Sequence, residues 1–405
     1  MRELSIYIHI PFCVRKCLYC DFLSFAVSEC DRPERMMMSY VNLLKHELVM
    51  QATNYRNHRV VSVFWGGGTP SLLPEETVGS IMNILRQYYH VSADAEITVE
   101  ANPGTVTQDK LHGYITAGIN RLSIGLQSTY DAELARIGRI HDYRTFLETY
   151  RLAREAGFRN INIDLMSALP GQSVPAYRET LRRVAVLAPE HISAYSLILE
   201  AGTPLYERQQ EYQFPSEEED REMYLLTNSY LSSCGYHRYE ISNYAREGYE
   251  CRHNKVYWKR GDYVGFGLGA ASMVDNIRWS NPADLEQYRA YIDSMDQVGG
   301  RLFGRLPGPE QESYPEEDFF VPERQVLTKK EQMEEFMFLG LRMMCGVSRK
   351  KFADLFGQEI EEVYGGILNT MYDKKLLARD TDHIRLTTLG IDVSNYVMAE
   401  FLFDS

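Results

Sequence analysis

The chain of 405 residues is poor in cysteine and contains no long apolar run. Its seven cysteines are an odd number, which argues against a disulfide scaffold and for a reducing compartment. No stretch reaches the roughly 18 apolar residues that a membrane span needs. The first residues also lack the basic and hydrophobic regions of a signal peptide. We therefore expect a cytoplasmic protein.

Positive charge is also scarce, with 43 Lys and Arg against 56 Asp and Glu and a formal net charge of −13. Non-specific binding to nucleic acids or anionic membranes needs clustered basic residues, so we expect no nucleic-acid partner. The hydrophobic content of 44% is ordinary for a globular protein. The length predicts two or three domains, or one large barrel with an appendage.

Three of the cysteines, Cys13, Cys17 and Cys20, lie together near the start of the chain. They follow an apolar, β-branched segment over residues 5–10, which predicts a strand that Pro11 ends. Three converging thiolates suit either zinc or an iron–sulfur cluster. Zinc would want a fourth protein ligand nearby, and the next candidate position holds Phe22. A cubane cluster on three cysteines leaves one iron open for a ligand.

Strand-like apolar segments recur along the first half of the chain, with helical patterns between them. Each is short and is followed by turn residues and then a helix, which favours parallel β/α units. The predicted strands cover residues 5–10, 60–65, 96–100, 121–127, 160–166 and 191–197. Six such units predict an α/β fold, a partial (β/α)6 TIM-like barrel with functional groups at the carboxyl ends of its strands.

Several of the predicted strand ends carry groups that suit a ligand. Residues 66–69, Gly-Gly-Gly-Thr, allow backbone N–H groups to approach a ligand closely, although a tight turn explains a triple glycine about as well. Glu100, Gln127 and Asp164 each end a predicted strand and can hydrogen-bond ribose or amino groups. As isolated residues they are more often helix caps or turn formers.

The chain divides into four predicted parts: residues 1–215, 216–300, 301–326 and 327–405. The third is an acidic, proline-rich linker or insertion, since residues 304–325 contain six acidic residues against two basic ones. The fourth predicts three helices and a hairpin over residues 376–386, an α+β, winged-helix-like domain. Its 10 Lys and Arg against 13 Asp and Glu lack the basic footprint of a DNA reader, so we expect a packing or partner-docking module.

The run Cys-x3-Cys-x2-Cys, with Tyr19 directly before its last cysteine, resembles the signature of the radical S-adenosylmethionine (SAM) superfamily. This resemblance implies that Cys13, Cys17 and Cys20 hold a [4Fe-4S] cluster. It implies that the open iron chelates the amino and carboxylate groups of SAM. It also implies an electron donor, since an electron from the reduced cluster breaks the sulfonium bond.

The resemblance extends to residues that would contact SAM in this chain. They lie at strand ends and beside the cysteines: Tyr7, Tyr19, Gly67, Gly68, Thr69, Glu100, Gln127, Arg139 and Asp164. Arg139 matches a family residue near SAM, and the two tyrosines match residues that line the cofactor pocket. A solvated arginine and plain core packing of the tyrosines are the alternatives.

Residues 162–172 and 193–197 resemble one branch of the superfamily, which contains an oxygen-independent coproporphyrinogen III oxidase and heme chaperones. Three features favour the chaperones. The oxidase carries a further cysteine where this chain has Phe22, and it has a long arm before the cluster, whereas twelve residues precede Cys13. Residues 253–258 match the His-Asn-x-x-Tyr-Trp motif of the chaperones. The loop over residues 265–272 departs from the branch at Leu268 and Ala271.

The motif implies heme contacts for four residues: His253, Asn254, Tyr257 and Trp258. His253 can supply a neutral imidazole as an axial ligand, while the two aromatic residues offer flat apolar surface. Arg252 and Lys255 can meet the propionates, and Cys251 or His237 is an alternative or second axial ligand. Without the family match, a structural corner in which His253 and its neighbours satisfy buried groups is the better interpretation.

Two functions from different classes fit this sequence. The first is a heme chaperone that binds heme and delivers it to heme-accepting proteins such as membrane-bound respiratory enzymes, with the cluster and SAM in a supporting role. The second is an enzyme that uses a SAM-derived radical to decarboxylate the propionates of coproporphyrinogen III. We expect the first, because of Phe22 and the motif at His253. The sequence leaves open whether SAM is cleaved and which oligomer forms.

Overall fold

The structure, a computed structural model, describes residues 1–297 and 323–403. The helices are Pro33–Gln51 (α1), Glu75–Tyr88 (α2), Gln108–Thr116 (α3), Asp131–Arg136 (α4), Tyr143–Ala156 (α5), Val174–Leu187 (α6), Pro204–Glu207 (α7), Glu217–Ser233 (α8), Arg252–Trp258 (α9), Leu285–Gln297 (α10), Lys329–Gly340 (α11), Arg349–Phe356 (α12), Ile360–Asp373 (α13), Thr388–Asp392 (α14) and Ser394–Ala399 (α15). The strands are Arg2–Ile10 (β1), Phe12–Cys13 (β2), Phe25–Ala26 (β3), His58–Gly67 (β4), His90–Ala101 (β5), Arg121–Gln127 (β6), Ile161–Ser167 (β7), His191–Ser196 (β8), His237–Glu240 (β9), Asn243–Ala245 (β10), Tyr263–Phe266 (β11), Ala271–Val274 (β12), Ile277–Ser280 (β13), Gln325–Val326 (β14), Val347–Ser348 (β15), Leu377–Arg379 (β16) and His383–Leu386 (β17).

Twelve of these strands form one sheet, in the order β14-β13-β12-β11-β1-β4-β5-β6-β7-β8-β10-β9. β1 and β4 to β8 pair in parallel, which confirms the six predicted strands and the partial barrel. Within the described ranges the sheet stays open, because β14 and β9 are its two edges. β11 pairs in parallel with the other side of β1, a neighbour that the sequence patterns did not predict.

The strands at the centre of the sheet are buried on both faces, as parallel strands covered by helices are. In β1, Leu4, Ile6, Ile8 and Ile10 are fully buried, and all seven residues of β6 are buried. The alternation of side chains across a strand places Tyr7 of β1 on the opposite face, toward the inside of the barrel. The carboxyl ends of these strands therefore surround one opening.

The helices begin and end at local signals in the sequence. The side chain of Asp142 accepts a hydrogen bond from the Thr145 amide at the start of α5, and Gly157 ends that helix with a φ of 111°. Ser216 and Glu219 form a capping box at the start of α8. These signals fix where each helix joins the next strand.

The C-terminal region has its own core, built from α11 to α13, α15 and a three-stranded sheet in the order β15-β17-β16. The expected hairpin is present as β16 and β17. Val347 and Ser348 form β15, and Ser348 is also the N-cap of α12, where its side chain accepts from the Lys351 amide. The predicted linker lies outside the described residues, except for its last four.

None of the helices in the two described ranges combines the length and hydrophobicity that crossing a lipid bilayer requires.

Candidate functional site

The segment of residues 10–20, which carries the three cysteines and is called the cysteine loop below, is hydrogen-bonded to residues 66–69, the glycine turn at the end of β4. The amide of Gly68 donates to the carbonyl oxygen of Ile10 at 2.9 Å, and the amide of Thr69 donates to that of Phe12 at 2.7 Å. The Thr69 hydroxyl donates to Sγ of Cys13 at 3.5 Å. These bonds hold the first thiol at the carboxyl ends of β1 and β4, where a partial barrel places its ligands.

The three thiols of Cys13, Cys17 and Cys20 line one cavity of about 130 Å³. Eight of the nine residues expected to contact SAM line the same cavity: Tyr19, Gly67, Gly68, Thr69, Glu100, Gln127, Arg139 and Asp164. They come from the ends of β4 to β7 and from the loops that follow β2 and α4. The ninth, Tyr7, lies in an adjoining cavity. The structure therefore brings together side chains that more than 150 positions separate in the chain.

Burial disfavours the thiolate form at two of the three cysteines. It raises the pKa of the Cys13 thiol, and it raises the pKa of the Cys20 thiol to about 11. Coordination by a metal deprotonates such a thiol outright. In residues 1–297 and 323–403, no group of His, Cys, Asp or Glu side chains is arranged to hold a single metal ion. A cubane cluster does not need its three thiols to converge on one ion, because each cysteine binds a different iron atom.

Arg139 connects the cysteine loop to the barrel wall. Its Nη2 donates to Oδ1 of Asn102 at 2.7 Å and to the carbonyl oxygen of Gly125, and its Nη1 lies 3.5 Å from Sγ of Cys17. Its Nε is buried with no hydrogen-bond partner in the described structure. A buried N–H without a partner is costly, so it suits an acceptor oxygen of a ligand in the cavity. The N–H groups of Arg139 therefore fit the carboxylate of SAM.

Two buried carboxyl groups line the same cavity as this arginine. Burial, together with the neighbouring Asp164, raises the pKa of Glu100 to about 8. Burial also raises the pKa of Asp164, although hydrogen bonds from Asn162 (2.8 Å) and Ser123 (3.3 Å) oppose that shift. Such groups can accept hydrogen bonds from ribose hydroxyls or from an ammonium group.

The glycine turn is required by close packing. Gly67 has a φ of 106°, and a Cβ at this position would lie 2.4 Å from the His9 ring. The amides of Gly68 and Thr69 are already used in hydrogen bonds to the cysteine loop. We predicted that N–H groups of this turn would approach a ligand; at these two residues the N–H groups are taken by the chain itself, and the carbonyl oxygen of Thr69 also accepts from the Leu72 amide at 2.9 Å.

Gln127 has a φ of 71°, an uncommon conformation for a residue other than glycine, and its side chain is buried beside the cavity. Backbone strain of this kind is found more often at functional sites than elsewhere. Ser123, which the motif comparison missed, lines the cavity with Gly125 and Gln127. The period of two along a strand could have identified this row, because positions 123, 125 and 127 share one face.

A second cavity of about 470 Å³ adjoins the first and extends into the barrel. It is lined by aromatic and small residues that include Tyr7, Tyr257 and Ala270, and it shares Glu100 with the first cavity. His9 lies at its wall with Nε2 2.9 Å from the carbonyl oxygen of Leu23 and Nδ1 3.1 Å from the Tyr7 hydroxyl. No Lys or Arg is among the described residues that line it.

His253, at the start of α9, is buried inside the barrel and is 2% exposed. Its Nδ1 lies 3.0 Å from the Ser62 hydroxyl and its Nε2 lies 2.9 Å from the Tyr257 hydroxyl. Its ring stacks on Phe64 with the centroids 5.1 Å apart. Burial lowers the pKa of His253 to about 3. These are the contacts of a structural corner, and heme contact by His253 stays a prediction.

The other polar residues considered near this motif have partners within the protein. Cys251 is fully buried, its thiol lies 3.5 Å from a Glu96 carboxylate oxygen, and burial raises its pKa to about 12. His237 and Lys255 both contact Glu250. Arg252 pairs with Asp94. Asn254 and Trp258 are partly exposed, and Trp258 borders a separate cavity on the other side of α9.

Comparison with known proteins gives a consistent result. Residues 7–184 match the radical SAM superfamily, and residues 327–393 match the HemN C-terminal domain. The chain is 35% identical to the heme chaperone HemW of Bacillus subtilis, over 98% of this chain and 99% of that protein. It is 41% identical to the heme chaperone HemW of Escherichia coli, over 68% of this chain and 71% of that protein.

A solved structure shares the fold over nearly the whole chain. The coproporphyrinogen III oxidase HemN of Escherichia coli, a radical SAM enzyme, superposes with a TM-score of 0.81 at 23% identity, covering 99% of this chain and 90% of that one. The radical SAM match implies a [4Fe-4S] cluster and SAM, and the thiols, Arg139 and the glycine turn form a donor set that fits both. The full-length relatives decide the branch: this chain belongs to the heme chaperone HemW family of the radical SAM superfamily.

Proposed function

We propose that this protein is a heme chaperone that holds a [4Fe-4S] cluster and SAM, binds heme and delivers it to heme-accepting proteins. The observation that carries the proposal is the convergence of three thiols, Arg139 and the glycine turn on one cavity. It occurs in a chain whose full-length relatives are named heme chaperones. Membrane-bound respiratory enzymes are the acceptors that we propose.

In the proposed site, Cys13, Cys17 and Cys20 hold the cluster, which supplies an open iron for SAM and an electron when reduced. The partnerless Nε of Arg139 donates to the carboxylate of SAM. The Glu100 carboxyl group accepts from the amino group of SAM. Asp164 and Gln127 line the same cavity, where they can orient the ribose.

The position corresponding to Phe22 supports the chaperone over the oxidase. Phe22 is 62% exposed and borders both cavities, so a large apolar side chain stands between the cysteine loop and the barrel interior. The oxidase of this branch carries a cysteine there. The interior cavity also has no Lys or Arg on its described walls to bind the four propionates of coproporphyrinogen.

Anaerobic reconstitution with iron and sulfide, followed by titration with heme, tests the proposal. We expect one [4Fe-4S] cluster per chain, a change in its spectrum when SAM is added, and a Soret band that saturates with heme. Bound heme should pass to an apo-hemoprotein when the two are mixed. If reductant and SAM instead convert coproporphyrinogen III to protoporphyrinogen and no heme is bound, the chain is an oxidase and the proposal is wrong.

A further inference from the structure

The two ends of helix α9 face different cavities. At its first turn, both ring nitrogens of His253 are already hydrogen-bonded inside the barrel. At its last turn, Trp258 borders a cavity of about 270 Å³ where the barrel meets the C-terminal region. We call this cavity the seam cleft. Its apolar walls are Trp258 from α9 and Phe336, Met343 and Val347 from the C-terminal region.

The seam cleft is held open between two firmly joined parts of the protein. The guanidinium of Arg260 pairs with Glu335 at 2.9 Å, and both side chains are 7% exposed. The amide of Met344 donates to the carbonyl oxygen of Tyr239 at 3.0 Å. On the side of Trp258, the guanidinium of Arg342 lies 4.2 Å from the ring centroid. These contacts fix the spacing of the two walls.

Trp258 has a polar atom that the protein does not satisfy. Its Nε1 is buried with no hydrogen-bond partner in the described parts of the chain. Buried indole N–H groups usually find a partner. An acceptor group on a ligand in the seam cleft would provide one.

Three basic side chains lie at the rim of the seam cleft, and two of them have no carboxylate partner among the described residues. Lys259, Arg260 and Lys351 all line it, and of these only Arg260 has an ion pair with a carboxylate among the described residues. Burial, with the charges of Lys259 and Arg260, lowers the pKa of Lys351. Two amines left unpaired beside an apolar cavity favour an amphipathic ligand that carries carboxylates.

A possible iron ligand lies on the same rim. His383 of β17 pairs across the sheet with Ser348 and, like Lys351, lines the cleft. Its Nδ1 lies 4.0 Å from the Asp380 carboxylate, which is too long for a hydrogen bond, so the ring remains available to a metal.

We propose that the seam cleft holds heme, with the macrocycle between Trp258 and Phe336, the propionates at Lys259 and Lys351, and the iron on His383. This inference rests on the heme-binding function proposed above and assigns its site. The interior cavity of the barrel is larger, but no cation on its described walls could meet a propionate. The seam cleft is smaller than the roughly 300–1,000 Å³ typical of enclosing ligand sites. Part of the macrocycle therefore stays outside, where an acceptor protein can reach it.

The charge of the propionates provides a specific test. Full-length protein with its cluster is titrated with hemin and, separately, with hemin dimethyl ester, which lacks both negative charges. The variants are Lys259→Met, Lys351→Met and the double variant, because methionine keeps the length of the side chain without its charge. We expect each single change to weaken hemin binding about 10-fold and to leave ester binding within about 2-fold. Lys350→Met, on the same helix but outside the cleft, should bind both like the wild type.

The iron ligand is tested by spectroscopy. His383→Ala should shift the Soret band of the bound heme, and added imidazole should restore its position. His112→Ala, a change at an exposed histidine of α3, should leave the spectrum unchanged.

The possible outcomes separate the site from the function. If the wild type binds no heme, the proposed function itself fails. If it binds heme and the lysine variants bind hemin normally, the seam cleft is not the site, and the same follows if they lose hemin and ester equally. Cys345, which also lines the cleft, and His253 are the alternative iron ligands. If Cys345→Ala or His253→Ala shifts the Soret band and His383→Ala does not, the assignment of the iron ligand is wrong.

Discussion

Nη1 of Arg139 lies 3.5 Å from Sγ of Cys17, although 122 positions separate the two residues. The same guanidinium hydrogen-bonds Asn102 and Gly125 on the barrel wall. One side chain thus connects the loop of the three thiols to the strands that would hold SAM. In the proposed site, this single buried cation would set the cluster and the nucleotide relative to each other.

The three cysteines of the loop should be individually necessary for the cluster. We expect Cys13→Ala, Cys17→Ala and Cys20→Ala each to lose most of the bound iron and acid-labile sulfide after anaerobic reconstitution, because a cubane on two thiolates is poorly held. Cys234→Ala, at the end of α8 and away from the cavity, is the control and should keep both. Full iron content in all three loop variants would show that the cluster lies elsewhere.

Arg139→Lys should weaken SAM binding while leaving the cluster in place. Lysine keeps the positive charge but cannot reach Asn102, Gly125 and a ligand together, as the guanidinium fork does. We expect the dissociation constant of SAM to rise about 10- to 100-fold, corresponding to the loss of one or two charge-assisted hydrogen bonds. Isothermal titration on the reconstituted protein measures this. Arg144→Lys, at an exposed position of α5, should bind SAM normally; equal affinity in both variants would remove Arg139 from the SAM site.

Gly67→Ala should destabilise the fold. The methyl group would lie 2.4 Å from the His9 ring on a backbone with a φ of 106°, so strain and overlap add. We expect the free energy of unfolding in urea to fall by about 2–5 kcal/mol. Gly79→Ala provides the contrast, since it lies within α2 with nothing within 4 Å and should raise stability by up to about 1 kcal/mol. A neutral Gly67→Ala would mean that the turn can move away from His9.

The stability of the protein should fall as the pH drops below about 6.5, partly because of His253. Burial, and next the charge of Arg121, lower its folded-state pKa to about 3, so the unfolded chain binds a proton that the folded protein rejects. The stability contributed by the neutral ring is complete above the unfolded-state pKa and is lost between about pH 6.5 and pH 3, by at most about 1.4 kcal/mol per pH unit.

Urea unfolding at several pH values measures this contribution. The free energy of unfolding of His253→Gln should fall less steeply with decreasing pH than that of the wild type. The buried His141 and His191, whose pKa values burial also lowers, remain in both proteins and cancel in the difference. His112→Gln, at an exposed position, should follow the wild-type curve. Parallel curves for the wild type and His253→Gln would show that the ring is not held neutral in the folded protein.

Much of the barrel was predictable because its signals are local. Six apolar segments, each followed by turn residues, predicted six parallel strands, and each strand overlaps its predicted segment, although β5 begins six residues earlier than predicted. Gly157 and the Ser216–Glu219 pair are further signals that act within one turn of a helix. The β11 strand was not predicted, since its parallel pairing with β1 joins residues that lie more than 250 positions apart.

The sequence by itself determined the spacing of the three cysteines, the polar strand ends and the family to which the chain belongs. Which groups remain available for a ligand was decided only by the tertiary structure. Folding joins the amides of Gly68 and Thr69 to the cysteine loop, buries His253 between Ser62 and Tyr257, and leaves Trp258 at the boundary with the C-terminal region. The physical reason is that a donor or acceptor can serve a ligand only after the packed chain has satisfied its own buried groups, and those partners come from distant parts of the sequence.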